Sequence, residues 1–159
     1  MRQKGFSLIE LLIVIAIILV IAAIAIPSLL RSRIAANEAS AVQTIRTFST
    51  GETAYAQTYP SVGYTCTLTD LGPPASGAPA TQTAAGVIDD VVASGHKQGY
   101  DFALSNCSGT PVSTYSSQAA PATVGGSGIR AFCSDGSGVI KQASDGVAAT
   151  CLSSGASLQ

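Results

Sequence analysis

From Phe6 to Ile26 the chain is apolar at nearly every position, a run of 21 residues interrupted only by Ser7 and Glu10. As a helix rising 1.5 Å per residue, such a run is about 31 Å long. That matches the roughly 30 Å hydrocarbon thickness of a bilayer. A helix apolar on all sides belongs in lipid or inside a bundle of its own kind. After Pro27 the pattern changes but keeps the helical period. Ile34, Ala41, Val42, Ile45, Phe48, Tyr55 and Tyr59 recur at spacings of three, four and seven residues, one stripe of an amphipathic helix. Arg31, Arg33, Asn37, Glu38, Gln43 and Arg46 are expected mostly off that stripe. Pro60 supplies a stop. The pattern predicts one helix from Phe6 to Tyr59, with an apolar half over 6–27 and an amphipathic half over 28–59. Pro27 has no amide hydrogen and its ring crowds the preceding turn, so a kink or loosening is expected between Ala23 and Pro27. Phe48, Tyr55 and Tyr59 read as core packing at helical spacing, not as an aromatic path for electrons.

Residues 60–98 are rich in Gly, Pro, Ser and Ala, notably Leu71-Gly72-Pro73-Pro74-Ala75-Ser76-Gly77-Ala78-Pro79, which predicts an irregular connection. Within it VIDDVVA, Val87 to Ala93, reads as a short helix or turn with Asp89 and Asp90 toward solvent. Strand signals follow. Tyr100, Phe102 and Leu104 alternate with Asp101, Ala103 and Ser105, as a half-buried strand requires. PVSTYSSQAAPAT is a weaker strand ending near Pro121. IRAFC and VIKQ flank Ser134-Asp135-Gly136-Ser137-Gly138, a hairpin in which Asp-Gly is expected to supply the positive φ of the turn. The fold class expected is α+β: a long helix laid on a small antiparallel sheet of about four strands, near 99–142.

The totals narrow the chemistry. At 159 residues, less the apolar run, about 100 residues remain for a folded head with a modest core. A net charge of −1 with 11% charged residues gives nucleic-acid binding no support. Four cysteines, at 66, 107, 133 and 151, lie downstream of the apolar run. No C-x-x-C or Cys/His cluster occurs, so a zinc site is not expected. An even count in an exported domain reads as two disulfides, for which three pairings exist. His96 sits in a Gly/Ser-rich context and reads as solvent-facing. Asp135 and Asp145 lie in loops without EF-hand spacing and read as turn formers. Asn106-Cys107-Ser108 fits a glycosylation triplet but abuts a cysteine expected to be bonded. No catalytic residue, metal or cofactor is expected.

The charge at Glu10 sets three readings of the N-terminus against one another. Arg2 and Lys4 precede the apolar run and orient it with the remainder exported. A secretory signal peptide fits poorly, because the run exceeds the usual apolar length of about 7–15 residues. A permanent anchor leaves Glu10 as the partner in a capping box, Ser7-Leu8-Ile9-Glu10. A third reading has the chain cut between Gly5 and Phe6. The new α-amine would be cationic at a helix end where the macrodipole is already positive, and a carboxylate would offset both. Glu10 of the same chain or of a neighbour would serve, fixing the register between packed helices. The residues alone leave the second and third readings open.

Lys4-Gly5-Phe6-Ser7-Leu8-Ile9-Glu10-Leu11 closely resembles the prepilin processing motif of type IV pilins and type II secretion pseudopilins, and Pro27 falls where that family has a helix-disturbing proline. The resemblance covers roughly residues 1–60. It implies that 1–5 is a leader, that a prepilin peptidase cuts between Gly5 and Phe6 and methylates Phe6, and that Phe6 and Glu10 serve assembly. It implies a head over 60–159 with an αβ-loop at 60–98, a sheet, and a C-terminal loop. On that layout Cys66–Cys107 would fasten the connection to the sheet, and Cys133–Cys151 would tie down the tail as a closing loop at 133–151. The partners implied are further copies in a helical filament, the peptidase and methyltransferase, an assembly platform, a motor ATPase and, before assembly, the bacterial inner membrane. The product would be an extracellular type IV pilus serving motility, adhesion or DNA uptake; the alternative is a short periplasmic pseudopilus.

Overall fold

The computed structural model describes residues 6–158. Its first element, α1, is a helix over Leu8–Thr58, within two residues of the expected bounds at each end. The chain divides into two compact units, Met1–Arg33 and Ile34–Gln159. In the first unit the apolar side chains of α1 are exposed nearly throughout, from Leu8 at 80% to Leu30 at 53%. The helix continues through Pro27 without interruption.

The second unit begins with the amphipathic half of α1. Short helices α2 (Leu68–Leu71) and α3 (Asp90–Ala93) interrupt the connection that follows. Asp89 caps α3, its carboxylate accepting the Val92 amide hydrogen at 2.8 Å. A sheet then runs β1 (His96–Lys97), β2 (Tyr100–Ser108), β3 (Thr114–Pro121), β4 (Ala131–Asp135) and β5 (Ile140–Ala143). Helix α4 (Ala148–Ser154) and β6 (Ala156–Ser157) close the chain. The strands lie in sequence order and each pairs antiparallel with the next, a meander that needs no crossover.

The sheet has six strands, not about four. β2 to β5 are the four expected strands. β1 and β6 are two residues each, too short for a period of two to register. The C-terminal segment, expected as a loop, contains α4, built from Ala148-Ala149-Thr150-Cys151-Leu152 with its buried Cys151 facing Cys133 and Ala143.

The core lies between α1 and one face of the sheet. Ala41, Ile45, Phe48 and Tyr55 pack with Tyr100, Phe102, Phe132 and Ile140. Phe48 meets Phe102 edge-on with ring centres 5.7 Å apart, a favoured aromatic geometry. The opposite face is covered at β4 and β5 by α4, so β4 is buried on both sides. Between β4 and β5 the positive φ falls at Gly138 (75°), not in the Asp135-Gly136 pair. Asp135 instead accepts the Ser137 amide hydrogen at 2.9 Å, and the Gly138 amide donates to the Asp135 carbonyl at 3.0 Å.

Candidate assembly surface

The N-terminal unit presents an apolar helix with no internal packing for its side chains. Phe6 is 77% exposed, and the leucines, isoleucines and valines from Leu8 to Leu30 are exposed along with it. In water such a surface would be strongly unfavourable. In lipid or among copies of itself it is satisfied. The segment is long and apolar enough to cross a membrane.

At its head, the Ser7 amide donates to Glu10 Oε2 at 3.0 Å, the return half of a capping box. The Leu11 amide donates to the Ser7 carbonyl at 3.2 Å, which starts the helical ladder. Glu10 therefore satisfies an otherwise orphaned amide at the helix start with one of its two carboxylate oxygens. Phe6 lies two residues before α1. Gly5, the other side of the expected cut, and the basic residues Arg2 and Lys4 lie outside the described residues. Pro27 sits inside α1; lacking an amide hydrogen, it leaves the Ala23 carbonyl without its usual i+4 donor.

In the second unit the structure pairs Cys66 with Cys107 and Cys133 with Cys151, their Cα atoms 6.0 and 5.9 Å apart. The first joins the connection to β2 beside a register shift between Ser105 and Ser108. The second joins β4 to α4. His96 is exposed and lies 2.6 Å from Asp101. Asp145 caps its own turn by accepting the Val147 amide hydrogen at 2.9 Å. Asn106 lies at φ 53° and its side-chain amide reaches Ser116 Oγ at 3.3 Å.

Sequence reasoning missed two carboxyls. Glu38, expected off the stripe, is buried at 6% exposure. Its Oε2 accepts from Arg130 Nη2 at 2.6 Å and Nε at 2.9 Å, and its Oε1 accepts the backbone amides of Ile129 and Arg130 at 3.0 and 3.1 Å. Burial pushes this carboxyl up, but the Arg130 side chain and the two amides outweigh it and hold the group below its ordinary value. Glu52, at 0% exposure, is the other. Both were legible in principle. The stripe has seven-residue gaps between Ile34 and Ala41 and between Phe48 and Tyr55, and Glu38 and Glu52 fill them at the three-and-four rhythm. A groove of 770 Å³ opens beside the Glu38–Arg130 pair, between Ala35, Ala39, Val42 and Arg46 of α1 and Gln142 and Leu158 at the end of the sheet.

Residues 1–26 match the family model for the prokaryotic N-terminal methylation motif. The chain carries that motif. It takes in the apolar run, Glu10 and the segment before it. Over 37 residues the chain is 66% identical to the type IV wide pilus major component PilA4 of Thermus thermophilus, a match covering 23% of this chain and 28% of that protein. No solved structure matches the chain. The methylation motif and the pilin relative together support a type IV pilin precursor, and the long apolar helix with its α+β head agrees with a pilin-like arrangement.

Proposed function

We propose that this chain is a structural, non-enzymatic subunit of a type IV pilus. It is made as a precursor in the bacterial inner membrane, cut between Gly5 and Phe6 by a prepilin peptidase, methylated on Phe6, and polymerised through the apolar half of its helix. The observation that carries this reading is the match of residues 1–26 to the methylation motif. The exposed apolar face over the same helix supports it.

The physical sequence of events is simple. Cutting removes Arg2 and Lys4 and leaves a cationic amine on Phe6. One oxygen of Glu10 is already used by the Ser7 amide; the other is available in kind to a neighbour's amine. Two unlike charges in a low-dielectric bundle attract strongly and fix axial register. Lipid is nearly as apolar as the bundle, so withdrawal from water does not drive assembly; close packing and the charge pair do. An assembly platform and a motor ATPase supply outside work.

Mass spectrometry of the protein recovered from cells tests the processing step. The expected N-terminus is methylated Phe6; recovery of chains beginning at Met1 overturns the reading. Immunogold electron microscopy then separates the two fibre classes. Labelled long extracellular filaments fit the pilus, whereas trimmed protein confined to the periplasm identifies a type II secretion pseudopilin.

A further inference from the structure

Glu52 is the most anomalous side chain in the second unit. It is wholly buried on the inner face of α1. Its Oε2 accepts the Thr65 amide hydrogen at 2.9 Å, and its Oε1 has no partner. Thr65, also buried, directs its hydroxyl to Asp70 Oδ2 at 3.1 Å. One threonine thus joins two carboxyls, one from α1 and one from α2. The other titratable groups around this cluster are Tyr55 on α1 and Tyr115 on β3, the latter packed on Tyr64 with ring centres 4.8 Å apart. Asp70 is the only charge that acts on Glu52 among the described residues; no lysine, arginine or histidine offsets it.

A buried carboxylate without a countercharge is far costlier than a buried neutral carboxyl with one unpaired hydroxyl. The site is therefore built for the protonated form. What that form holds is the segment from Thr65 to Leu71, whose Cys66, Thr67 and Thr69 are exposed at the surface. The segment has other ties. Leu71 is buried in the core, the Asp70 carbonyl accepts the Ala85 amide hydrogen at 2.8 Å, the Leu71 carbonyl accepts those of Val87 and Ile88 at 2.9 and 3.1 Å, and Cys66 is bonded to Cys107.

We propose that Glu52 is a proton-operated latch for the Thr65–Leu71 segment, closed while its carboxyl is neutral and released when rising pH removes the proton, with the Cys66–Cys107 bond limiting how far the segment moves. Release changes the surface that residues 66–69 present without unfolding the sheet. The electrostatics agree with the geometry. Burial pushes the Glu52 carboxyl up, the Thr65 amide opposes this, and Asp70 reinforces it, leaving the group at about 7 against an ordinary 4.5. In the opened segment the group returns toward its ordinary value, so the closed state is favoured most below 4.5, loses ground as pH rises to about 7, and loses no more above it.

Hydrogen exchange on the disulfide-intact full chain in detergent micelles tests this at about pH 5 and about pH 8, with intrinsic rates corrected. The expected result is a loss of protection of about tenfold or more at Thr65, Asp70 and Leu71, while the amides of β3 and β4 stay unchanged. In Glu52→Gln, which keeps an acceptor for Thr65 and cannot ionise, protection at those three amides is expected to be equal at both pH values. Equal protection in the unmodified protein, or the same loss in Glu52→Gln, overturns the proposal. Side-chain carbon NMR of the unmodified protein gives an answer that does not depend on the variant folding. A Glu52 titration near 7, with Thr65 shifting in step, is expected; titration at the ordinary value overturns the latch.

Discussion

Glu38 on α1 grips Arg130, 92 residues further along the chain, through two guanidinium hydrogens on one oxygen, while the other oxygen accepts the backbone amide hydrogens of Ile129 and Arg130. The guanidinium also reaches Gln142 Oε1 at 2.7 Å and lies 5.4 Å from the centre of the Phe132 ring. A single carboxylate therefore ties the start of the amphipathic half of α1 to the loop entering β4 and, through Arg130, to β5. Replacing Glu38 with Ala strands the two amides and leaves a half-exposed guanidinium unpaired. We expect a loss of about 2–3 kcal/mol, read as a lowered midpoint in urea unfolding of the full chain in detergent.

The same pair gives the head an acid limb. Glu38 has a folded value below its ordinary 4.5. Its contribution is therefore present above 4.5 and is lost as pH falls through the lower folded value. Thermal unfolding between about pH 6 and about pH 3 should show falling stability in the unmodified protein, and a flatter profile from a lower starting point in Glu38→Gln. An identical slope in both would remove Glu38 from this role.

Phe48 is fully buried and packs edge-on against Phe102. Phe48→Ala should cost about 3–5 kcal/mol by leaving a cavity between α1 and the sheet. Val139, exposed beyond the β4–β5 turn, serves as the contrast, and Val139→Ala should fall within about 0.5 kcal/mol of the parent. Chemical denaturation of both variants tests the assignment of the core face.

Cys133–Cys151 closes a loop of 18 residues. In the chain-entropy account, replacing both cysteines with Ser should cost about 3 kcal/mol. Because Cys151 is the buried residue of α4, the loss should appear first as faster hydrogen exchange in Ala148–Ser154. Uniform loss across the sheet would indicate that α4 has no separate stability to lose.

Glu10→Gln preserves an acceptor for the Ser7 amide and removes the charge. On the pilin reading the variant should insert and be trimmed as before, yet yield sparse filaments when surface fibres are sheared off and weighed. Normal fibre yield would show that the carboxylate's local capping contact is its whole role.

Much of this fold was legible from the chain. The helical period carried through Pro27 to Tyr59 predicted α1 as one element, because an unbroken helix repeats its face every three or four residues. Alternation located β2, and turn residues located the β4–β5 hairpin. The rest lay beyond local pattern. β1 and β6 exist only because β2 and β5 offer them a partner. α4 is held by a bond to a strand 18 residues away. Glu38 reads as an off-stripe charge and Glu52 carries no signal in its neighbours, since nothing near either one announces Arg130 or the neutral site beside Thr65. Only their positions in the seven-residue gaps betrayed them.

The sheet's two outer strands, His96–Lys97 and Ala156–Ser157, offer two residues each. Outer strands are where foreign or identical backbones add on, and a brief one is a poor template for uncontrolled β-aggregation. On the pilus reading, a chain packed beside many copies of itself gains from that brevity. Its heads could then be concentrated without fusing edge to edge, with the order of the array left to the helix.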